Sequence, residues 1–166
     1  PWPDAKLQSA VYHARMLHEQ NKLDEALVRL NPVLTAKPES PEQELVRAEA
    51  LLEKAGCLRD QTQRDAEIET LEQLVERAPA GSGWLQAEAY VALGDAYRAT
   101  QKPKDALFAY LHVELLFVKH RELHARALYN LSPPWSELGQ PERSAAAQST
   151  LRTEHPNSPW TKKLGS

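Results

Sequence analysis

The segment from residue 90 to residue 110 holds the pattern that most constrains how this chain can fold. Three large residues recur there at helical spacing, namely Tyr90, Leu93 and Tyr97. This spacing places them on one face of a helix, and Gly94 lies on the same face without a side chain. A second helix can therefore approach closely, and its pattern follows after a short polar break, with Ala106 and, one turn later, the bulky Tyr110. The segment predicts a hairpin of two antiparallel helices.

This hairpin pattern resembles the tetratricopeptide repeat (TPR) family, in which an aromatic residue, Leu-Gly and a second aromatic residue precede Ala, an aromatic residue and a closing Pro. Here the closing Pro is missing, and Val118 stands in its place in a second helix that is expected to continue toward His120. The pattern returns more loosely in three other segments. Their central positions are Ala14, Glu49 and Ser132.

The resemblance implies an all-α fold: an α-solenoid of antiparallel helix hairpins, wound into a TPR-like right-handed superhelix. One TPR-like domain would occupy residues 1–166, with hairpins at approximately 4–38, 41–79, 84–119 and 121–156. Four hairpins exceed the roughly three units that a stable stack requires. A short C-terminal capping helix is expected at 158–164, where Trp160 and Leu164 would cover the apolar end of the last hairpin.

Three further places depart from the family pattern. The turn of the second hairpin is expected to carry about five extra residues near Cys57, judged against the usual repeat length. The proline pair at 133–134 lies within the first helix of the fourth hairpin, where lost backbone donors and ring clashes should kink or end that helix. Pro32 raises the same expectation in the first hairpin. The proline pair either shapes a ligand pocket beside Tyr129 and Trp135 or marks a helix break that packing tolerates.

Composition excludes several classes of function. The net charge is −3 with both signs interspersed, so the chain has no basic stripe for nucleic acid. Cys57 is the single cysteine, which rules out an internal disulfide and a cysteine-based zinc site. No apolar run approaches the roughly 18 residues of a membrane span, so direct membrane insertion is not expected. Since the sequence contains no phosphate-loop, nucleophile or zinc-protease motif, we predict neither an enzyme nor a cofactor.

The spacing of His120 and His124 is the one arrangement that suggests a metal. On a continuous helix the two imidazoles would lie one turn apart. However, Glu122 is misplaced for a zinc-protease motif, and the segment joins the third and fourth hairpins, where a turn is expected. A solvated polar junction is therefore the favoured interpretation, and no metal site is predicted.

In the TPR family the first helix of each hairpin lines a concave groove, so the resemblance directs attention to the helix face beside the packing face. That rule places Val11, Val46 and Val91 on the groove, together with one arginine per hairpin. Arginines and tyrosines could bind the carboxylates and apolar side chains of an extended peptide. Alternatively, the arginines are merely solvated or paired with Glu. The candidate groove residues are Tyr12, Arg15, Arg47, Asp95, Arg98, Arg126, Tyr129 and Asn130.

The predicted function is a scaffold or adaptor that holds a partner protein or an extended peptide in this groove. A second copy of the chain is another candidate partner. The alternative is an accessory or regulatory domain of a larger protein, because a signal peptide, an anchor or a further domain could precede Pro1. The segment 154–160 is similar to repeat junctions in bacterial envelope proteins, and this similarity favours an envelope or periplasmic location and a role in assembly or secretion.

Overall fold

The structure, a computed structural model, describes residues 3–165, with side chains from residue 5 onward. These residues form helices joined by short connections and contain no strand, so the all-α prediction is confirmed. None of these helices is long and apolar enough to cross a membrane. The helices are α1 (Pro3–Glu19), α2 (Leu23–Thr35), α3 (Pro41–Asp60), α4 (Arg64–Arg77), α5 (Gly83–Ala99), α6 (Pro103–Leu116), α7 (Arg121–Glu137), α8 (Pro141–Glu154) and α9 (Pro159–Lys163).

The four hairpin turns share one backbone geometry. After each first helix, one residue takes a positive φ of 58–71°, and the next N–H donates to the carbonyl oxygen five residues back at 2.8–2.9 Å. This is the bond of a Schellman C-cap, which satisfies carbonyls that a helix end leaves unpaired. The residues with positive φ are Asn21, Thr62, Gln101 and Gly139. The repetition predicted from the sequence thus extends to turns that have no sequence pattern in common.

The chain divides into two compact units, unit 1 (Pro1–Gln86) and unit 2 (Ala87–Ser166). In unit 1, α1 pairs with α2 and α3 pairs with α4, while α3 also packs against α1 and α2. Since α3 contacts three helices, apolar residues must occupy several of its faces. The core at α1, α2 and α3 consists of Val11, Ala14, Leu17, Ala26, Leu30, Val33, Val46, Ala50 and Cys57.

Helix α3 is longer than the sequence pattern suggested. It begins at a well-formed cap, where the Ser40 side chain accepts a hydrogen bond from the Gln43 N–H at 3.2 Å and Pro41 occupies the first turn. It then continues through Cys57 to Asp60. The expectation that the extra residues near Cys57 lie in the turn is therefore wrong. Because Cys57 is buried in the core, the helix gains packing by extending past it.

In unit 2, the close approach of α5 and α6 at Gly94 follows the predicted pattern of a small residue against a large one. A Cβ atom built on Gly94 would lie 2.7 Å from both Cδ1 and Cζ of Tyr110, which is fully buried. Helix α7 then packs against α6 and α8. The main core residues of this unit are Ala87, Val91, Ala106, Leu107, Tyr110, Val113, Ala125, Ala127, Leu128, Leu131, Ala147 and Leu151.

Helices α6 and α7 of unit 2 end at other positions than expected. Helix α6 stops at Leu116, because Phe117 leaves the helical conformation and its ring lies near the rings of Tyr90 and His120. The proline pair at 133–134, in turn, does not end α7, which continues to Glu137. The two prolines fall in the last turns of that helix and remove only two backbone donors there.

The predicted capping helix is confirmed as α9. Ser158 caps its N-terminus by accepting a hydrogen bond from the Trp160 N–H at 3.3 Å, and the Thr161 hydroxyl donates to the His155 carbonyl at 2.6 Å. Trp160 and Leu164 pack against the core of unit 2. The helix therefore covers apolar surface of the hairpin formed by α7 and α8.

Candidate functional site

The structure places the eight candidate groove residues in both units. Tyr12 and Arg15 lie on α1 and Arg47 lies on α3, all in unit 1. The other five lie in unit 2, on α5 and α7, and these are Asp95, Arg98, Arg126, Tyr129 and Asn130. Only in unit 2 does a network of hydrogen bonds join several of them.

We call this network the Asp95 cluster: Asp95, Tyr110, Arg126 and Asn130. Arg126 Nη2 donates to Asp95 Oδ2 at 2.6 Å, and the other carboxylate oxygen accepts from Asn130 Nδ2 at 2.9 Å and from the Tyr110 hydroxyl at 2.6 Å. Glu88 lies 3.4 Å from Arg126 Nη1. The side chains of Asp95 and Arg126 are 36% and 27% exposed, so the cluster is held in place and still faces solvent.

Tyr110 is the member that the sequence did not predict for the site, since its spacing indicated packing only. Burial and the neighbouring Asp95 carboxylate both raise the pKa of its phenol. The hydroxyl therefore stays neutral and donates a hydrogen bond. As a result, a fully buried core residue fixes the orientation of a carboxylate at the surface.

Aromatic side chains border the Asp95 cluster. The Trp160 ring lies 5.4 Å from the Tyr129 ring and 5.7 Å from the Arg126 guanidinium. Because prolines have no N–H, the pair at 133–134 also leaves the carbonyls of Tyr129 and Asn130 without their usual helical donors. Arginine next to tyrosine and tryptophan rings is characteristic of protein-binding sites.

Three of the four candidate arginines have carboxylate partners. Besides Arg126, Arg15 lies 3.3 Å from Glu53, and Arg98 lies 3.7 Å from Glu137. Arg47, which lines a cleft of about 170 Å³ in unit 1, has no ion-pair partner among residues 5–165. Ion pairs between exposed side chains are weak and can open. A charged group of a partner protein could then take the place of the arginine or of the carboxylate in such a pair.

The valines expected on the groove are buried instead. Val11 and Val91 are fully buried and Val46 is 6% exposed, all within the cores of their units. The expectation is wrong because a helix inside a stack of hairpins contacts neighbours on more than one side. The pattern of a single hairpin reveals only the face toward its own partner helix.

His18 on α1 forms a second polar group, in unit 1. Its ring nitrogens lie 2.6 Å from Glu53 Oε1 and 2.9 Å from Asp60 Oδ2, both on α3. Gly56 permits this approach, since a Cβ there would lie 3.0 Å from the His18 ring. Burial alone would lower the pKa of His18, but the bonds to Asp60 and Glu53 outweigh it and raise that pKa.

We expect His18→Gln to destabilise the protein mainly at lower pH. The pKa of His18 is higher in the folded state than in the unfolded state. Its contribution to the free energy of unfolding is therefore fully present below about pH 6.5 and is lost as the pH rises through the folded-state pKa. Two charge-assisted bonds at a partly exposed position predict a loss of about 1–2 kcal/mol at pH 6. Urea unfolding of both proteins between pH 6 and 9 checks this, and a pH-independent difference would contradict it.

Comparisons with known proteins identify the fold but no family. No protein-family model matches the chain, and no curated protein matches it either. The chain is similar to a solved structure, the apo form of RapI, with a TM-score of 0.78 and 13% sequence identity, over 92% of this chain and 57% of RapI. The chain thus spans little more than half the length of RapI. At this identity the likeness establishes the fold alone, and the predicted α-solenoid of helical repeats is confirmed.

Proposed function

We propose that this chain is a non-catalytic adaptor of the TPR type that binds a partner protein or an extended peptide. The Asp95 cluster is the observation that carries this proposal. It combines a fixed carboxylate, a partly exposed arginine and the Tyr129–Trp160 pair on the surface of unit 2. In unit 1 the proposal assigns the same role to Tyr12, Arg15 and Arg47.

The physical support is preorganisation. Side chains that are already ordered lose little conformational entropy when a partner binds, so more of the contact energy appears as affinity. Tyr110, Arg126 and Asn130 already fix Asp95, while Trp160 packs against the core. The helical-repeat fold adds to this support, because such folds commonly present extended surfaces to proteins.

Charge reversal at the edge of this surface tests the proposal. Arg98 is exposed on α5 of unit 2 and acts electrostatically on Tyr110 of the Asp95 cluster. If it attracts a carboxylate of the partner, Arg98→Glu should weaken binding of a partner captured from the source organism by about tenfold, because like charges would then face each other. The matched control is Arg152→Glu on α8, which makes the same change at another exposed position of unit 2. Partners are identified by mass spectrometry, and affinities are then measured on the purified partner.

Both variants must show the helicity and melting temperature of the parent. Equal affinities for the parent and Arg98→Glu would contradict the assignment of this surface. If the parent captures no partner, the alternative role is favoured, which is an accessory or regulatory domain of a larger, envelope- or secretion-related protein. Light scattering on the purified chain separately tests whether a second copy is the partner.

A further inference from the structure

Two buried histidines face each other in unit 2. His124 lies in the first turn of α7, and His155 directly follows the last residue of α8. His124 Nδ1 and His155 Nε2 are 2.7 Å apart, and the two residues are only 3% and 4% exposed. The sequence singled out His124 with His120, but the structure pairs it with a histidine 31 positions away.

This arrangement can hold one cation between the rings. A neutral imidazole has one donor and one acceptor nitrogen, so a single proton can bridge the facing pair, whereas two protons would repel each other. The backbone of Glu114 also hydrogen-bonds to His124, which helps to fix its ring. Buried imidazoles with converging nitrogens are the ligands that transition metals such as Zn²⁺ prefer.

Glu154 supplies a third donor atom. Its Oε2 lies 3.9 Å from His124 Nδ1, and its side chain is 50% exposed, so the group opens to solvent on that side. The donor atoms of all three residues lie within 4.8 Å of one another. Tetrahedral zinc with bonds of 2.0–2.1 Å requires donors about 3.3 Å apart. The His124–His155 distance of 2.7 Å and the His124–Glu154 distance of 3.9 Å lie on either side of that value.

The surrounding charge also suits a divalent cation. Besides Glu154, the carboxylate of Glu122 acts electrostatically on His155. Burial and Glu154 raise the pKa of Glu114, so that carboxyl group is not counted as a charge here. Arg121 is the opposing charge, and it is tethered by its bond to the Glu154 carbonyl oxygen at 2.9 Å. The two carboxylates of Glu122 and Glu154 outnumber this one guanidinium, and this balance favours a cation.

We propose that His124, Glu154 and His155 bind one divalent transition metal ion, with Zn²⁺ as the best fit. Three protein ligands leave the fourth position to water on the exposed side of Glu154. The metal would join the first turn of α7 to the end of α8. Because the His155 carbonyl accepts hydrogen bonds from Ser158 N–H and the Thr161 hydroxyl, the site would also anchor the cap α9.

A similar group in unit 1 lacks these properties. His18 lies near Glu53 and Cys57, but both of its ring nitrogens are already bonded to carboxylates. Burial and the charges of Glu53 and Asp60 raise the pKa of the Cys57 thiol to about 12, so a thiolate ligand is disfavoured there. His18 therefore provides an internal control for histidine-dependent metal binding.

Titration of the tag-free chain with Zn²⁺ at pH 7.5 tests the proposal. We expect one Zn²⁺ per chain with a Kd of about 1 µM or tighter, and a higher melting temperature with Zn²⁺ than with a chelator. Co²⁺ should give the strong visible absorption of a four-coordinate site. Glu154→Gln should weaken Zn²⁺ binding by at least about tenfold, His155→Asn should abolish it, and His18→Gln should leave it unchanged.

Weak binding by the parent, or equal binding by the parent and Glu154→Gln, would overturn the proposal. Glu154 is half-exposed, so this variant should retain the fold even if His155→Asn does not. Loss of binding on His18→Gln alone would place the metal in unit 1 and would equally overturn it. None of these results depends on whether the chain binds a protein partner.

Discussion

Replacing Gly94 with alanine should destabilise the protein by about 2 kcal/mol, although alanine is the better helix former by about 1 kcal/mol. The new Cβ would lie 2.7 Å from Cδ1 and Cζ of Tyr110. The Tyr110 ring cannot move aside, because it is fully buried and its hydroxyl is held by Asp95 at 2.6 Å. Overpacking of about 3 kcal/mol therefore exceeds the gain in helix propensity. Urea unfolding followed by circular dichroism measures the difference.

Gly56→Ala is the matched control, since Gly56 also lies inside a helix. Its new Cβ would lie 3.0 Å from Cε1 of the His18 ring, so this ring must move slightly against its bonds to Glu53 and Asp60. We expect that cost to be smaller than at Gly94 and to offset the gain in helix propensity. We expect a change within about 0.5 kcal/mol there. In a Tyr110→Leu background, moreover, Gly94→Ala should lose most of its effect, because the clashing ring is gone. Equal effects at Gly94 and Gly56 would show that the close helix packing does not limit stability.

The helix hairpins could be predicted from the sequence because their packing rule is local. Small and large residues at helical spacing, such as Gly94 and Tyr110, determine how closely two successive helices approach. The cap could be predicted for a similar reason, since Trp160 follows Ser158 and Pro159, which begin a helix. Both features depend on neighbours that are close in the sequence.

Helix lengths could not be predicted in the same way. The residues inserted near Cys57 extend α3 because Cys57 finds a place in the core, and the hairpin pattern contains no information about that place. Similarly, α7 tolerates the proline pair at 133–134 because Pro134 is itself buried by packing. Tertiary contacts decided both outcomes against local propensity.

The polar groups likewise divide into those that the local sequence pattern could predict and those that depend on tertiary contacts. The helical-face rule selected Asp95, Arg126 and Asn130, and the structure joins these three by hydrogen bonds. The pairing of His124 with His155 has no local signal, because it joins a helix start to a helix end 31 residues later. Only the three-dimensional fold reveals such pairs, which is why the sequence predicted no metal site.

Asp95→Ala should destabilise the protein by about 2 kcal/mol, since three donors lose one acceptor group together. Hydrogen bonds to charged groups contribute roughly 1.5–3 kcal/mol each when shielded, but partial exposure of Asp95 and Arg126 reduces that value. The loss is largest for Tyr110, whose hydroxyl belongs to a fully buried residue. Arg126 would keep its ion pair with Glu88 at 3.4 Å and its contact with the Trp160 ring, and its buried Nε has no hydrogen-bond partner among the described residues.

Two further variants separate the Asp95 cluster from general effects of removing a carboxylate. Asp105→Ala makes the same change at an exposed position in the first turn of α6, where we expect a loss of about 0.5 kcal/mol. Tyr110→Phe keeps the ring and removes one of the three hydrogen bonds to Asp95. Its loss of unfolding free energy should therefore lie between the losses for Asp95→Ala and Asp105→Ala, at about 1 kcal/mol. If Asp95→Ala is no worse than Asp105→Ala in urea unfolding, Asp95 does not hold Arg126 in solution. The preorganised surface on which the adaptor role rests would then be absent, whatever the affinity of any partner.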